Sequence, residues 1–264
     1  MDRAEIVETA HALAESARNA ILPHFRTDGM RADNKEAGSH FDPVTEADRA
    51  AERAMRDMLA TRRPDDAILG EEFGHRAGTS GLTWVLDPID GTRSFMSGAP
   101  TWGVLIALSD ADGPVYGLID QPYIGERFEG GFGRAALAGP HGDRALETLG
   151  DRPLDEAVVF TTYPNLGSPA ETAAFDSVAA AARLTRYGMD CYAYALLAAG
   201  QIDLVIEAGL KPYDIHAPIA VIEAAGGIVT DWRGGPAHGG GRVIAAAGAQ
   251  QHAAALEILA ACPG

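Results

Sequence analysis

What the sequence lacks narrows its class before any motif is read. It has only two cysteines in 264 residues, Cys191 and Cys262. They lie far apart and form no C-x-x-C, so neither a disulfide framework nor a redox pair is legible, and a reduced, cytoplasmic setting is expected. No uncharged apolar run reaches the roughly 18 residues of a membrane-spanning helix. The N-terminal stretch has no long apolar core, so no signal peptide is expected. No internal repeat appears, and no stretch rich in Pro, Gly or Ser separates independent domains. Basic residues are outnumbered, 21 Lys and Arg against 37 Asp and Glu, for a net charge of −16. That balance argues against nucleic acid and anionic membranes as partners. For an enzyme acting on a phosphate ester, bound divalent cations would have to reverse the sign locally. The glycine-rich stretch 234–241 lacks the lysine of a P-loop and lies between two expected strands, so it reads as an ordinary connection.

What is present is enough for a sizeable core: 47% of the residues are hydrophobic and 22% charged, and the length suits one large domain or two intimate halves. Ile6, Ala10, Leu13, Ala17 and Ile21 recur at helical spacing and predict a helix over 5–25. Residues 27–43 read as a loop or weak hairpin. Thr45 and Asp48 form a capping-box pattern ahead of a helix over 46–60, which Pro64 closes. Short strands follow at 67–70, 84–86, 101–109 and 115–120. Asp112-Gly113 marks a hairpin between the last two, and the pattern continues around glycines over 126–137. The first half therefore reads as two helices and a mainly antiparallel sheet. The second half alternates strands (157–161, 184–187, 202–206, 227–231, 243–247) with helices (169–182, 190–199, 215–225, 250–261), an α/β layer. One catalytic unit over 1–264 is expected, with an α+β half at 1–145, an α/β half at 146–264 and a join near 143–155.

The chain is organised around Trp84-Val85-Leu86-Asp87-Pro88-Ile89-Asp90-Gly91-Thr92. The apolar run predicts a strand that stops where Pro88 and Gly91 punctuate a turn. Asp87 and Asp90 then sit close together on the bend, where two carboxylates repel unless a cation lies between them. The bend leaves the carbonyl of Ile89 as a further oxygen ligand. Gly91 and Thr92 open a helix whose first N–H groups suit a phosphate. Hard oxygen ligands beside an anion cradle point to Mg²⁺ and phosphoryl chemistry. The same string also fits a plain turn in which Asp accepts local backbone bonds. Three further acidic positions lie at element boundaries. Asp48 is in the first turn of a helix, Glu71 and Glu72 follow a strand, and Asp214 precedes a helix. Each taken singly also reads as a cap or a solvated charge. No rival constellation for a His or Cys nucleophile stands out.

As an ordered set, these residues resemble the inositol monophosphatase superfamily of Mg²⁺-dependent phosphatases. The matching stretches are Pro43-Val44-Thr45-Glu46-Ala47-Asp48, Gly70-Glu71-Glu72, Asp87-Pro88-Ile89-Asp90-Gly91-Thr92, Asp214 with Ala217, and Glu223-Ala224-Ala225-Gly226-Gly227. They cover roughly residues 9–231. Tyr213 departs from the Trp usual before the aspartate and keeps an aromatic wall. The resemblance implies a layered α-β-α-β-α sandwich, a homodimer, and two to three Mg²⁺ ions. It implies that Glu71, Asp87 and the Ile89 carbonyl hold one ion, that Asp87, Asp90 and Asp214 hold a second, and that a third is held through waters near Glu71 and Asp48. It further implies that Asp90, Gly91 and Thr92 bind the phosphate, while Glu71, Thr92 and Asp48 form the catalytic set that orients an attacking water.

Other stretches are similar to the histidinol-phosphate phosphatases of that superfamily. They are Ile119-Asp120-Gln121-Pro122 with Gly125-Glu126-Arg127, then Tyr187-Gly188-Met189-Asp190-Cys191-Tyr192-Ala193-Tyr194, then Glu207-Ala208-Gly209-Leu210-Lys211-Pro212-Tyr213-Asp214, with Arg93 after Thr92. Histidinol phosphate carries an ammonium and an imidazole. Asp190 and Glu207 are extra carboxylates suited to such a cation, and they join Arg93 and Asp214 as expected substrate-side residues. Against this, Asp190 also reads as the cap of the helix that follows it and Glu207 as a strand end in solvent. An inositol or other sugar or nucleotide phosphatase is the nearest alternative, and a non-catalytic regulatory binding protein a more distant one.

Overall fold

The structure, a computed structural model, describes residues 2–27, 32–34 and 43–263. Helix α1 (Arg3–Ile21) is capped by Asp2, whose carboxylate accepts from the N–H groups of Ala4 and Glu5. It ends earlier than the periodicity suggests, in a short tight turn over Leu22–His24, because Pro23 has no N–H to continue the helical ladder. Strands β1 (Ala32–Asn34) and β2 (Pro43–Thr45) pair antiparallel; most of the expected 27–43 loop lies outside the described residues. Helix α2 (Glu46–Arg62) opens with the Thr45/Asp48 capping box.

An eight-stranded sheet follows, built from β3 (Ala67–Gly70), β4 (Gly74–Arg76), β5 (Thr83–Asp90), β6 (Gly103–Ser109), β7 (Pro114–Gln121), β8 (Glu126–Gly131), β9 (Arg134–Ala138) and β10 (Arg144–Ala145), with the short helix α3 (Thr92–Ser97) after β5. Its order is β10-β9-β8-β7-β6-β5-β3-β4, and only β3 and β5 run parallel. The later chain contributes β11 (Val158–Thr161), α4 (Pro169–Ala181), β12 (Leu184–Tyr187), α5 (Asp190–Ala198), β13 (Leu204–Leu210), α6 (Pro212–Ala224), β14 (Ile228–Asp231), β15 (Gly241–Ala246) and α7 (Ala249–Leu259). Its five strands form a second sheet in the order β12-β11-β13-β15-β14. This sheet is mixed: β12, β11 and β13 are parallel, whereas β15 runs antiparallel to both β13 and β14.

Side-chain alternation stacks these elements in five layers. Trp84 and Leu86 of β5 pack with Ile6, Leu13, Met55 and Leu59 of α1 and α2. Val85, one residue along, faces the opposite way and joins Ala193, Leu197, Ile215 and Val221 of α5 and α6 in the central core, as a two-residue strand period requires. Val205 and Val243 close that core from the second sheet. Leu204 and Ile244 face outward onto Phe175 and Val178 of α4 and Ala255 and Leu259 of α7. The result is the α-β-α-β-α sandwich. Helix α6 rides very close to the first sheet. A Cβ at Gly117 would come within 2.4 Å of the Ala217 carbonyl, and one at Gly130 within 2.4 Å of Val221 Cα. Those two glycines fix how far α6 sinks, and so where its first turn delivers Asp214.

The fold corrects several expectations. Strand β5 does not stop at Asp87 but runs on to Asp90. Asp87 is opposite Leu105 and Asp90 opposite Gly103, so three steps on β5 match two on β6. That extra residue is a bulge, which accommodates Pro88 and its missing N–H. It also turns Asp87 and Asp90, which would alternate in a regular strand, onto the same face. Asp214 does not precede its helix. Pro212 occupies the first turn of α6, where its lost donor costs nothing, and Asp214 sits two residues further in. Asp190 is not a cap: the N-cap is Met189. Glu207 is not a solvated strand end, being buried within β13.

Candidate active site

The site is assembled where β3 and β5 end beside the first turns of α3, α5 and α6. Asp87 is buried and one oxygen accepts the N–H of Ile89 at 3.0 Å. Asp90 accepts the N–H of Cys191, at the start of α5, at 2.6 Å. Asp214 reaches back to the N–H of Lys211 at 2.6 Å, satisfying one of the helix's orphan donors. These contacts leave Asp87, Asp90 and Asp214 each with a ligand oxygen within 4.8 Å of the others. Glu71 joins them because its N–H continues the β3–β5 ladder to the carbonyl of Leu86 at 3.2 Å. The turn that carries it is held from below by Glu52, whose carboxylate accepts the N–H groups of Glu72 and Phe73 at 2.7 and 3.2 Å.

The electrostatics of this cluster are those of a cation site. Burial raises the Asp87 carboxyl well above its usual range, and the charges of Glu71, Asp90 and Asp214 raise it further. Asp90 is raised by burial and then by Asp214 and Asp190, with the Cys191 contact pulling the other way. Asp214 is pushed up to about 7, by burial first, against the pull of the Lys211 amide. Acids this close cannot all ionise until positive charge is supplied, and oxygens alone suit a hard divalent ion. Asp48 adds a second indication. Its Oδ2 accepts both the N–H and the hydroxyl of Thr45, while its buried Oδ1 has no hydrogen-bond partner. Burial, with Glu71 nearby, lifts this acid to about 6. An orphan buried acceptor next to Glu71 fits a water held on a cation. The donor set therefore suits Mg²⁺.

Beside the carboxylates, Gly91 takes a left-handed φ of 86° as the N-cap of α3. The Thr92 hydroxyl donates to the Ile89 carbonyl at 3.2 Å, so candidate nucleophile-orienting and ligating groups face one another. Arg93 is exposed on the same turn. Asp190 packs against Gly91 so tightly that a Cβ there would lie 2.7 Å from Asp190 Cγ. Glu207 lies behind, its Oε1 accepting the N–H of Thr162 at 2.6 Å. Burial pushes its carboxyl up to about 7, and the charge of Asp190 adds to that. Tyr194 of α5 stands near Glu207, Asp90 and Asp214, with its buried hydroxyl unpartnered.

The structure thus brings Asp87, Asp90 and Asp214 together, with Glu71 and Asp48 beside them and Asp190 and Glu207 behind the Gly91–Thr92 turn, whereas Arg93 stands exposed on α3. Sequence reading missed Glu52, Ser94, Thr101, Tyr194 and the N–H of Cys191. Cys191 and Tyr194 lie in a matched stretch without a role assigned to them, and Glu52 carried a positional signal: it follows Asp48 by four residues, which puts both acids on one face of α2, and both are fully buried.

Comparisons with known proteins agree on the family. The profile of the inositol monophosphatase family matches residues 2–263. The chain is 43% identical over 226 residues to the chloroplastic bifunctional phosphatase IMPL2 of Arabidopsis thaliana, covering 85% of this chain but 63% of that protein, less than two thirds of its length. It is 34% identical to a histidinol-phosphatase of Chlorobaculum parvum, with 86% of each chain covered. The solved inositol monophosphatase from Zymomonas mobilis superposes with a TM-score of 0.87 at 39% identity, covering 98% of this chain and 99% of that one.

Proposed function

Because the chain belongs to the inositol monophosphatase family, we propose that it is a Mg²⁺-dependent phosphate monoester hydrolase whose substrate is L-histidinol phosphate, releasing L-histidinol and phosphate. The observation that carries the hydrolase reading is the convergence of Asp87, Asp90 and Asp214 within 4.8 Å beside the turn that opens α3. Glu71, Asp87 and the Ile89 carbonyl would hold one ion, Asp87, Asp90 and Asp214 a second, and Glu71 with Asp48 a third through water. When bound, Mg²⁺ supplies a Lewis acid that lowers the pKa of a coordinated water and offsets charge on the phosphoryl oxygens. The N–H groups of Gly91 and Thr92 hold the phosphate, with Asp90 at its border. Glu71 and the Thr92 hydroxyl orient the attacking water, and Glu71 receives its proton. No side chain needs to be phosphorylated.

The substrate reading rests on charge. Phosphate contacts are common to every ester, so selectivity comes from the leaving-group side. There Asp190 would face the leaving group, with Glu207 buried behind it as a second acid whose ionised form a cation favours, and Arg93 and Asp214 at the edges. An ammonium facing Asp190 forms a charge-assisted hydrogen bond worth about 1.5–3 kcal/mol, which neutral inositol hydroxyls do not match. The 34% identical relative that carries the histidinol-phosphatase name supports the same choice. The alternative, an inositol monophosphatase, is supported by the Zymomonas mobilis neighbour. The deciding measurement is kcat/KM on histidinol phosphate and inositol 1-phosphate for the native chain and Glu207→Gln. A native preference for inositol phosphate, or equal losses on both substrates in the variant, rejects the substrate and leaves the hydrolase. The active form is proposed to be a homodimer, which light scattering would overturn by finding a 27.6 kDa species at micromolar concentration.

A further inference from the structure

Asp190 is held by two residues that have no part in the mechanism so far. The Ser94 hydroxyl donates to Asp190 Oδ2 at 2.5 Å and the Thr101 hydroxyl donates to the same oxygen at 2.9 Å. Ser94 belongs to α3 and Thr101 lies just before β6, so both come from the chain that forms the phosphate turn. Asp190 also takes a left-handed conformation, φ 46°, which is uncommon outside glycine but is tolerated by Asp, whose short side chain bonds locally. Its neighbour Cys191 donates its N–H to Asp90, and Gly91 has no Cβ where Asp190 needs the room.

We propose that Ser94 and Thr101 are specificity-positioning residues: their hydroxyls lock Asp190 across the α3–α5 junction so that its other oxygen, Oδ1, meets a cationic leaving group of the bound ester. This rests on the phosphatase reading and extends it from histidinol phosphate to 2-aminoalkyl phosphates as a class. Two donors on one oxygen fix both the rotation and the tilt of the carboxylate. A single donor leaves the rotation free. The clamp also links the two ends of the substrate, because the α3 turn that cradles phosphate is the one that carries Ser94. Ser94 and Thr101 do not touch the substrate; they act through Asp190.

The test uses Ser94→Ala, Thr101→Val and the double variant. Each is assayed by kcat/KM on histidinol phosphate, 2-aminoethyl phosphate and the neutral ester glycerol 2-phosphate, with melting temperature as a folding control. The ratio of cationic to neutral kcat/KM is expected to fall about tenfold in the double variant, as loss of one well-aimed charge-assisted contact predicts. The fall is expected mainly in KM. Ser94→Thr, which keeps the hydroxyl, should hold the ratio near native. In an Asp190→Asn background the double change should add little, because the pair works through that carboxylate. Equal losses on cationic and neutral esters overturn the proposal, as does an unchanged ratio or a native enzyme with no preference for 2-aminoethyl over glycerol phosphate. If 2-aminoethyl phosphate is preferred and clamp-dependent but histidinol phosphate is not, the histidinol reading fails and the clamp stands.

Discussion

Two buried acidic clusters sit at different places on the same sheet, and they are provided for in opposite ways. At the outer side of β7 and β8, fully buried Asp120 receives Arg18 at 3.0 Å and Arg127 at 2.8 Å. Glu129 beside it receives His11 and the Tyr116 hydroxyl at 2.7 Å, and Arg134 at 2.9 Å. At the end of β5, Asp87 is as buried as Asp120, yet the strongest charges acting on it are three other carboxylates. The first cluster is complete within the chain and serves cohesion. Among the described residues the second meets mainly like charge, with Lys211 acting on Asp214 alone, and that unmet demand marks it as a site for a ligand. Burial of acid alone does not distinguish the two; the identity of the neighbours does.

The sharpest way to break this comparison is to remove divalent metal. Chelation with EDTA is expected to abolish phosphate release and restoring Mg²⁺ to recover it, with the circular-dichroism spectrum little changed because the arginine-paired cluster needs no ion. Full turnover in metal-free buffer would show that the two clusters are electrostatically alike. Next in size is Asp90→Asn, expected to lose about a hundredfold or more in kcat at saturating Mg²⁺. In EDTA its melting temperature should equal or exceed that of the native chain, because one of several repelling charges is gone. A large drop in metal-free melting temperature would mark Asp90 as structural instead.

The reciprocal change is Arg127→Met. Asp120 keeps Arg18, so the cost is expected to be about 2 kcal/mol rather than the full penalty of a stranded buried charge, with kcat per folded molecule retained. Denaturant unfolding alongside steady-state kinetics checks both halves. The smallest effect is a trend with pH. Glu207, at about 7, and Asp48, at about 6, both titrate above their ordinary values in the folded chain. The folded state therefore holds protons that the unfolded chain has released. Their contribution is fully present below the ordinary carboxylate range and is lost as pH rises toward 7. Metal-free protein should accordingly lose melting temperature between pH 5 and 8, less steeply in Glu207→Gln. Glu129 acts oppositely: burial raises it, but the bonds from His11 and Tyr116 bring it below its ordinary value. Its contribution persists across that range and fails only as pH falls below the ordinary carboxylate range. A metal-free melting curve that rises from pH 5 to 8 would contradict the assignment.

Much of this was legible in the one-dimensional pattern. The capping box at Thr45, the helical spacing of α1 and the hairpin at Asp112-Gly113 are local signals, and each appears where the sequence puts it. The pair Asp87 and Asp90 was legible as a pair, but the reason it works was not. A turn was expected, and a bulge does the task, because whether Pro88 ends a strand or is absorbed by it depends on the register of β6. Asp190 and Glu207 carried two readings each in the sequence. Packing decided against the capping and solvent readings, since neither the hydroxyls that hold Asp190 nor the amide that holds Glu207 is close in sequence.

Order and chemistry of the acidic residues were properties of the chain itself: oxygen donors at element boundaries, a glycine–threonine turn after them, and membership of a phosphatase family. Those are set by short-range stereochemistry and residue type. Which carboxylates meet a counter-charge was settled only in three dimensions. Arg18 reaches Asp120 across 102 residues and Arg127 reaches it across 7, whereas Ser94 meets Asp190 across 96. Such pairings exist only once α1 packs on the outer face of the first sheet and α5 on its inner face, because a buried charge is compensated by what packs against it and not by what precedes it.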